Sequence, residues 1–266
     1  MNNQVKYLLA SVLVIPTLPI IYIQGQIIKK TIPKLPEAAG IEGWVKTDSN
    51  HSLRLLCIGE SSMAGVGADS HDEAIVGSLA KELSNKLHSN VYWRVYARNG
   101  YTAKRVRFKI LPKITERDFD IIVIALGGND AFAMNSPKTW RKHILALLND
   151  TQAIFPHTPI VFMNMPPIKE FPAFSKLIQF SVGNLVDMLG KELAEITNSL
   201  EEVYFSKELI RMETWKIKYL INGDATDFFS DGVHPSKFTY QVWAKDVAAF
   251  IIKQKVIKLD SSKRPL

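Results

Sequence analysis

The strongest constraint on the fold is an alternation of short strand-like runs with longer helical stretches. Four runs are apolar and rich in β-branched or aromatic residues: "LRLLCIG" at 53–59, "VYWRVYA" at 91–97, "DIIVIALG" at 120–127 and "PIVFMN" at 159–164. Strands that are apolar on both faces are typical of a parallel sheet that helices cover on each side. The sequence therefore predicts a three-layer α/β sandwich.

Helical periodicity fills the intervals between these runs. Within residues 72–88, apolar side chains recur on one face of a helix, at Ile75, Leu79, Leu83 and Leu87. Ser136 and Pro137 have the residue types of an N-cap and a first helical position. We expect further helices at about 174–199 and 236–256.

Candidate site residues follow the predicted strands. In parallel α/β sheets, ligands bind beyond the carboxyl ends of the strands. Small or polar residues follow three of the runs at this edge: Ser61, Asn99, Gly100, Gly128, Asn129 and Asp130. Asp231 and His234 come just before the last predicted helix, in a loop that can return to the same edge. We therefore expect these residues to lie close together.

The first part of the chain has the composition of a membrane anchor. No charged residue occurs between Lys6 and Lys29, and residues 7–23 are almost entirely apolar. A helix that crosses the hydrocarbon core needs roughly 20 such residues. Pro16 and Pro19 interrupt helical hydrogen bonding, so the segment is expected to be kinked, short or partly interfacial. A cleaved signal peptide is the alternative, but no small-x-small cleavage site follows the run, which favours an uncleaved single span.

These features divide the chain into four parts. We expect a hydrophobic anchor at 1–28, a linker at 29–50, a globular domain at 51–258 and a polar tail at 259–266.

Flanking charges predict the orientation of the anchor. Lys6 precedes the apolar run, whereas Lys29, Lys30 and Lys34 follow it. Because positive charges tend to remain cytoplasmic, this distribution favours a cytoplasmic domain, with a periplasmic domain as the alternative.

Charge and composition exclude several other classes of function. The net charge of +7 is spread along the chain with acidic residues interleaved, which does not favour nucleic-acid binding but suits an anionic membrane surface. The single cysteine, Cys57, cannot form an internal disulfide and is expected to be a buried small side chain. Five histidines have no ligand spacing, so no metal site is predicted: His51, His71, His88, His143 and His157. Oligomeric state is not predicted.

The glycine-rich stretch "GESSMAGVG" at 59–67 does not match a nucleotide-binding loop. No Lys-Ser or Lys-Thr pair follows its glycines, as a phosphate-binding loop requires. Gly65 and Gly67 also lack the third glycine of a dinucleotide-binding fingerprint at position 70. No nucleotide cofactor is therefore expected.

Four short blocks, taken in order, resemble those of the SGNH hydrolases, also called GDSL esterases and lipases. They are "GESS" at 59–62, "NG" at 99–100, "GGND" at 127–130 and "DGVH" at 231–234. The resemblance covers roughly residues 53–250 and implies a flavodoxin-like sandwich with a mostly parallel, five-stranded sheet. The hydrophobic N-terminus and the "KLPEAAG" linker look like those of a membrane-associated bacterial subgroup.

The resemblance also assigns catalytic roles. It implies that Ser61 is the nucleophile, that His234 is its base, and that Asp231 orients the imidazole. The backbone N–H groups of Ser61 and Gly100 and the side-chain amide of Asn129 are implied to form the oxyanion hole. No cofactor is implied.

Other residues near these blocks carry weaker expectations. Glu60 replaces the aspartate that usually precedes the nucleophile, which leaves the local hydrogen bonds open. Ser62 is expected to start a helix, and Asp130 to be structural. The stretch at 165–180 either forms a wall of an acyl pocket or belongs to the core, through Phe171, Phe174 and Phe180. The stretch at 215–221 has the same two alternatives.

These inferences predict a membrane-tethered serine esterase that cleaves acyl esters through an acyl-enzyme. The expected substrate is a short-chain or lipid ester. Two alternatives remain open at this point: acyl transfer to a sugar or lipid acceptor by the same residues, and a binding protein that has kept the fold without activity.

Overall fold

The computed structural model describes residues 3–257, so the polar tail predicted at 259–266 lies outside the described residues. The strands are β1 Glu42–Val45, β2 Ser52–Gly59, β3 Asn90–Ala97, β4 Ile121–Ala125, β5 Ile160–Phe162 and β6 Val203–Phe205. The α-helices are α1 Asn3–Val14, α2 Leu18–Thr31, α3 Ile75–Leu87, α4 Ala103–Lys109, α5 Gly128–Phe132, α6 Pro137–Ile154, α7 Lys176–Asn198, α8 Met212–Tyr219 and α9 Lys237–Lys253.

The strands form one mostly parallel sheet in the order β1-β3-β2-β4-β5-β6. All neighbouring pairs are parallel except β1 with β3. Every residue of β4 is buried, so helices cover both faces of the sheet at its centre. Helix α3 packs against α9, and α4 and α7 both pack against α6. The predicted α/β fold class is confirmed.

The prediction of five strands was wrong, because the sheet has six. β1 and β6 contain only four and three residues, too few for a recognisable apolar run. β1 also lies inside the predicted linker at 29–50. The Ala38 N–H already donates to the Ala64 carbonyl at 3.0 Å, so the chain joins the domain well before residue 51.

The helices largely follow the predicted periodicity. Ser136 caps α6 by accepting a hydrogen bond from the Thr139 N–H at 3.2 Å, and Pro137 is its first residue, as predicted. The expectation that Ser62 starts a helix was wrong. Turns follow Ser61, and α3 begins only at Ile75, because Gly65 and Gly67 both adopt positive φ angles that helices do not contain.

The N-terminal segment, residues 3–31, is helical and broken once. A single 3₁₀ turn at Ile15–Thr17 contains Pro16 and separates α1 from α2. The stretch Val5–Ile28 is long and apolar enough to cross a membrane, a property that signal sequences share. The segment packs on the domain, with α1 against α6 and α7.

The assignment of β1 to the domain can be tested with Gly43→Ala. A Cβ at Gly43 would lie 2.4 Å from the ring of Trp93, which is 1% exposed. Because that ring cannot move freely, we expect the free energy of unfolding to fall by about 1–3 kcal/mol. Chemical denaturation measures it. Gly25→Ala, whose added methyl meets nothing within 4 Å, is the control. An unchanged stability for Gly43→Ala would mean that residues 42–45 are a linker.

Candidate active site

Close pairing of β2 with β4 brings two turns together at the carboxyl edge of the sheet. Gly59 is in register with Ala125, and a Cβ at Gly59 would lie 2.4 Å from the Ala125 carbonyl oxygen. The next residue, Glu60, donates its N–H to the same oxygen at 3.1 Å. Ser61 follows directly and is half-buried at this edge.

The buried carboxylate of Glu60 joins the turn after β2 to the turn after β4. Its Oε1 accepts a hydrogen bond from the Gly128 N–H at 2.8 Å. Its Oε2 accepts from the Asn129 N–H at 2.9 Å and from Asn129 Nδ2 at 2.6 Å. Glu60 therefore fixes both the backbone and the side-chain amide of Asn129.

Burial raises the pKa of Glu60 to about 7, although the hydrogen bonds from Asn129 and Gly128 oppose the rise. The nearby charge of Asp130 raises this pKa further. The carboxyl group that fixes Asn129 thus gains or loses its proton near neutral pH.

Asp130 is held entirely within the protein. Its Oδ2 accepts a hydrogen bond from the Ala103 N–H at 2.8 Å, and its Oδ1 accepts one from Asn135 Nδ2 at 2.7 Å. Its side chain is buried, and burial raises its pKa. These contacts fit the structural role predicted for Asp130.

Asp231 and His234 form a hydrogen-bonded pair. Asp231 Oδ2 lies 2.7 Å from His234 Nδ1, and Oδ1 accepts hydrogen bonds from the N–H groups of Val233 at 2.9 Å and His234 at 2.7 Å. Burial raises the pKa of Asp231, but hydrogen bonds from His234 and Val233 outweigh it and keep the pKa below its usual value. The ionised carboxylate therefore favours a proton on Nδ1 and leaves Nε2 to accept another.

Two neighbouring segments hold the loop that carries this pair. Ser230 donates its N–H to the His234 carbonyl at 2.8 Å, which closes the loop on itself. Ala173 donates its N–H to the Gly232 carbonyl at 3.2 Å. Gly232 has a φ of +84°, and a Cβ there would lie 2.9 Å from the Ala173 Cβ, so the loop requires glycine at this position.

Ser61, Asn129 and His234 line one cleft with a volume of about 110 Å³. Asp231 does not line the cleft and contacts the Nδ1 side of the His234 ring. Within residues 3–257, no hydrogen bond joins the Ser61 hydroxyl to the imidazole, although both groups face the same cleft. Nucleophile and base in an empty site often approach closely only when substrate binds.

Gly100, like Asp231, is a predicted site residue that does not line the cleft wall. Its neighbour Asn99 lines the cleft, whereas Gly100 itself is exposed. Gly100 has a φ of +78°, and its N–H makes no hydrogen bond within the described part of the chain. The donor is therefore free beside the cleft.

The rest of the cleft wall is mostly apolar. Its apolar side chains come from several elements: Phe132, Ile168, Phe171, Ile210, Met212, Trp215 and Phe229. Of the phenylalanine residues considered for an acyl pocket, only Phe171 lines the cleft. Phe174 packs behind it, with ring centroids 5.4 Å apart, and Phe180 is exposed elsewhere.

Sequence reasoning missed two features of this site. The contribution of α8 was left open at 215–221 and missed at Met212, because the periodicity of "METWKIKY" does not show which face meets a cleft. The role of Glu60 was missed because its three donors are 68 and 69 residues away in the chain. No group of three or more potential metal ligands occurs among the described residues.

Comparisons with known proteins bear on the family and the fold of this chain. The model of the GDSL-like lipase/acylhydrolase family matches residues 57–242. No curated protein matches the sequence.

Several solved structures share the fold at low sequence identity. A lipase from a goat rumen metagenome, Lip_vut3, is 18% identical with a TM-score of 0.52, covering 74% of this chain and 96% of that one. A lipase/acylhydrolase from Enterococcus faecalis is 17% identical with a TM-score of 0.53, covering 79% and 100%. A family 3 carbohydrate esterase from Clostridium thermocellum is 14% identical with a TM-score of 0.57, covering 76% and 96%. Since the family model spans well over half of the sequence, this chain belongs to the GDSL-like lipase/acylhydrolase family.

Proposed function

We propose that this protein is a serine esterase that cleaves acyl esters through a covalent acyl-enzyme. The observation that carries the proposal is His234, which lines the same cleft as Ser61 and whose Nδ1 lies 2.7 Å from Asp231 Oδ2. A serine hydroxyl becomes an effective nucleophile when a correctly oriented base can take its proton.

The reaction proceeds in two halves. Ser61 Oγ attacks the ester carbonyl carbon, while His234 Nε2 takes the hydroxyl proton and Asp231 stabilises the imidazolium. The tetrahedral intermediate collapses, and the imidazolium returns the proton to the departing alcohol. Water then attacks the acyl-enzyme by the same route, which releases the carboxylic acid and restores Ser61.

The oxyanion is stabilised by three donors: the N–H groups of Ser61 and Gly100 and the amide of Asn129. Asn129 Nδ2 has two hydrogens, with acceptors at Glu60 Oε2, 2.6 Å away, and at the Tyr101 carbonyl, 3.3 Å away. Because the contact with Tyr101 is the longer one, the oxyanion replaces that carbonyl as the second acceptor. Glu60 then acts as a positioning residue.

The apolar cleft wall suits the acyl group of the substrate. The N-terminal segment tethers the protein to a membrane, and its lysine distribution favours a cytoplasmic domain. Lipases and a carbohydrate esterase occur among the similar structures, so the alcohol part of the ester is left open.

Replacement of the nucleophile tests the proposal directly. We expect Ser61→Ala to lower the hydrolysis of a short chromogenic ester by about 10⁴- to 10⁶-fold, because no attacking oxygen remains. Labelling by a fluorophosphonate probe is also expected to disappear. Ser62→Ala, which changes the neighbouring serine of the same cleft, is the matched control and should still be labelled.

Three results would contradict this proposal. Persistent labelling of Ser61→Ala would place the nucleophile elsewhere. A well-folded wild-type chain that neither reacts with the probe nor cleaves esters would favour the binding-protein alternative. Accumulation of an acylated sugar or lipid in place of free acid would favour acyl transfer.

The positioning role of Glu60 predicts a change in pH dependence. Protonation of Glu60 places an O–H next to the N–H donors of Gly128 and Asn129, which weakens the hydrogen bonds that position Asn129. Activity should therefore rise with pH as Glu60 loses its proton near its pKa of about 7. The wild type should therefore show one more ionisation at acid pH than Glu60→Gln, so that its log kcat/KM rises with pH more steeply by about one unit of slope.

At alkaline pH, Glu60→Gln should lower kcat by about 10- to 100-fold with little change in KM, because its amide meets the same donors and loosens Asn129. Glu195→Gln neutralises an exposed carboxylate on α7 and should behave as wild type. Equal slopes and an unchanged kcat in Glu60→Gln would show that Glu60 does not position the oxyanion donor.

A further inference from the structure

The N-terminal segment turns its polar side chains toward the domain. Asn3 Nδ2 donates to the Met188 carbonyl and to Glu192 Oε1, both at 3.0 Å. At the other end of the segment, Gln24 Oε1 accepts a hydrogen bond from Ser175 Oγ at 2.6 Å. The segment therefore runs antiparallel along the length of α7.

The opposite face of the segment is exposed and apolar. Large side chains along it are open to solvent, among them Leu8, Leu9, Val12, Leu13, Ile20 and Ile23. No Asp or Glu occurs within Val5–Ile28, and exposed lysines lie near its two ends, Lys6 just inside it and Lys30 just beyond it. A soluble protein orients its helices the other way, with the polar face outward. This face therefore suits lipid, and its lysines suit anionic headgroups.

The docked segment cannot cross a bilayer while it remains on α7. Helix α7 carries Asp187, which pairs with Lys169 at 2.6 Å, and Glu192, which pairs with Arg141 at 3.2 Å. Lys191 of α7 is exposed next to the segment. A perpendicular span would carry these charges into hydrocarbon, where charged groups are costly. In this arrangement the segment can only lie in the plane of the membrane–water interface.

The C-terminal end of the segment borders the mouth of the catalytic cleft. Ser175, which binds Gln24, follows Phe174, whose ring lies 5.3 Å from Phe132. Phe132 lines the cleft and is 44% exposed, and Phe180, at 58%, lines the gap between the segment and α7. Exposed aromatic residues thus continue the apolar face toward the cleft.

We propose that the outward face of residues 5–28, together with Phe180 and Phe132, binds the surface of a lipid bilayer in its plane, and that the cleft draws its ester from that membrane. The proposal rests on the proposed esterase function for its substrate, an amphiphile with a long acyl chain. The cleft volume of about 110 Å³ encloses only the part of such a chain near the ester, so the remainder stays in the lipid. This in-plane orientation replaces the perpendicular span expected from the sequence.

A cross-link between the segment and α7 distinguishes the two orientations. Asn3→Cys and Met188→Cys, at the end of the segment far from the cleft, are combined in the full chain and joined by a short bifunctional thiol reagent in detergent. Cys57 is buried and is left unmodified. The product is then mixed with vesicles of phosphatidylcholine and phosphatidylglycerol that hold p-nitrophenyl palmitate. Flotation measures binding, and p-nitrophenyl acetate reports activity on a soluble ester.

We expect the cross-linked chain to float with the vesicles within about twofold of the two single-cysteine controls, and to cleave the palmitate ester. Loss of flotation on cross-linking would overturn the proposal, because the segment would then have to leave α7 to enter the membrane. A chain that floats but cleaves neither ester would support the docking surface and overturn the esterase function.

A second variant tests the contribution of Phe180. Phe180→Ser removes an exposed aromatic side chain from the proposed membrane-binding surface. It should weaken vesicle binding about tenfold without changing the hydrolysis of p-nitrophenyl acetate. Ile41→Ser is the matched control, since Ile41 is equally exposed, at 58%, next to β1 at the far edge of the sheet. Equal binding of the two variants would remove Phe180 from the surface.

Discussion

The carboxylate of Glu60 is the contact on which the candidate site depends, because it ties the turn after β2 to the turn after β4. Gly59 allows the two strand ends to approach, and Glu60 then accepts hydrogen bonds from Gly128 and Asn129. Without this link, Ser61 and the amide of Asn129 would belong to two independent turns. A longer acid than aspartate fits here because it reaches across to the neighbouring turn, at the cost of a pKa raised by burial.

The other half of the site is built on a loop that has little regular structure. Asp231 binds both the imidazole and the backbone N–H of His234, so one carboxylate fixes the loop and the tautomer together. Contact of Gly232 with Ala173 connects this loop to the segment before α7. Ser175 of that segment also donates a hydrogen bond to Gln24. The N-terminal segment and the loop that carries Asp231 and His234 therefore both contact residues 173–175.

Much of this architecture could be predicted from the sequence, because long apolar runs and helical periods are local signals. β2 to β5 follow from these signals, and the cap of α6 follows from its residue types. The order of the site blocks was predicted from their resemblance to a known family. β1 and β6 are too short to carry such a signal. Ser62 does not start a helix, because Gly65 and Gly67 turn the chain directly after it. The partners of Glu60, the face of α8 in the cleft and the packing of the N-terminal segment on α7 are long-range contacts. Periodicity in one segment does not encode the neighbour that its face will meet.

In the proposed mechanism, the Ser61 hydroxyl and the His234 imidazole act at one carbonyl carbon, and three N–H donors bind its oxygen. A crystal structure of the chain inhibited by an alkyl phosphonate tests this convergence. We expect phosphorus bonded to Ser61 Oγ, one phosphoryl oxygen within hydrogen-bond distance of Ser61 N, Gly100 N and Asn129 Nδ2, and His234 Nε2 about 2.6–3.2 Å from an ester oxygen. An adduct on another residue, or an imidazole turned away from the phosphorus with Gly100 and Asn129 out of reach, would contradict it.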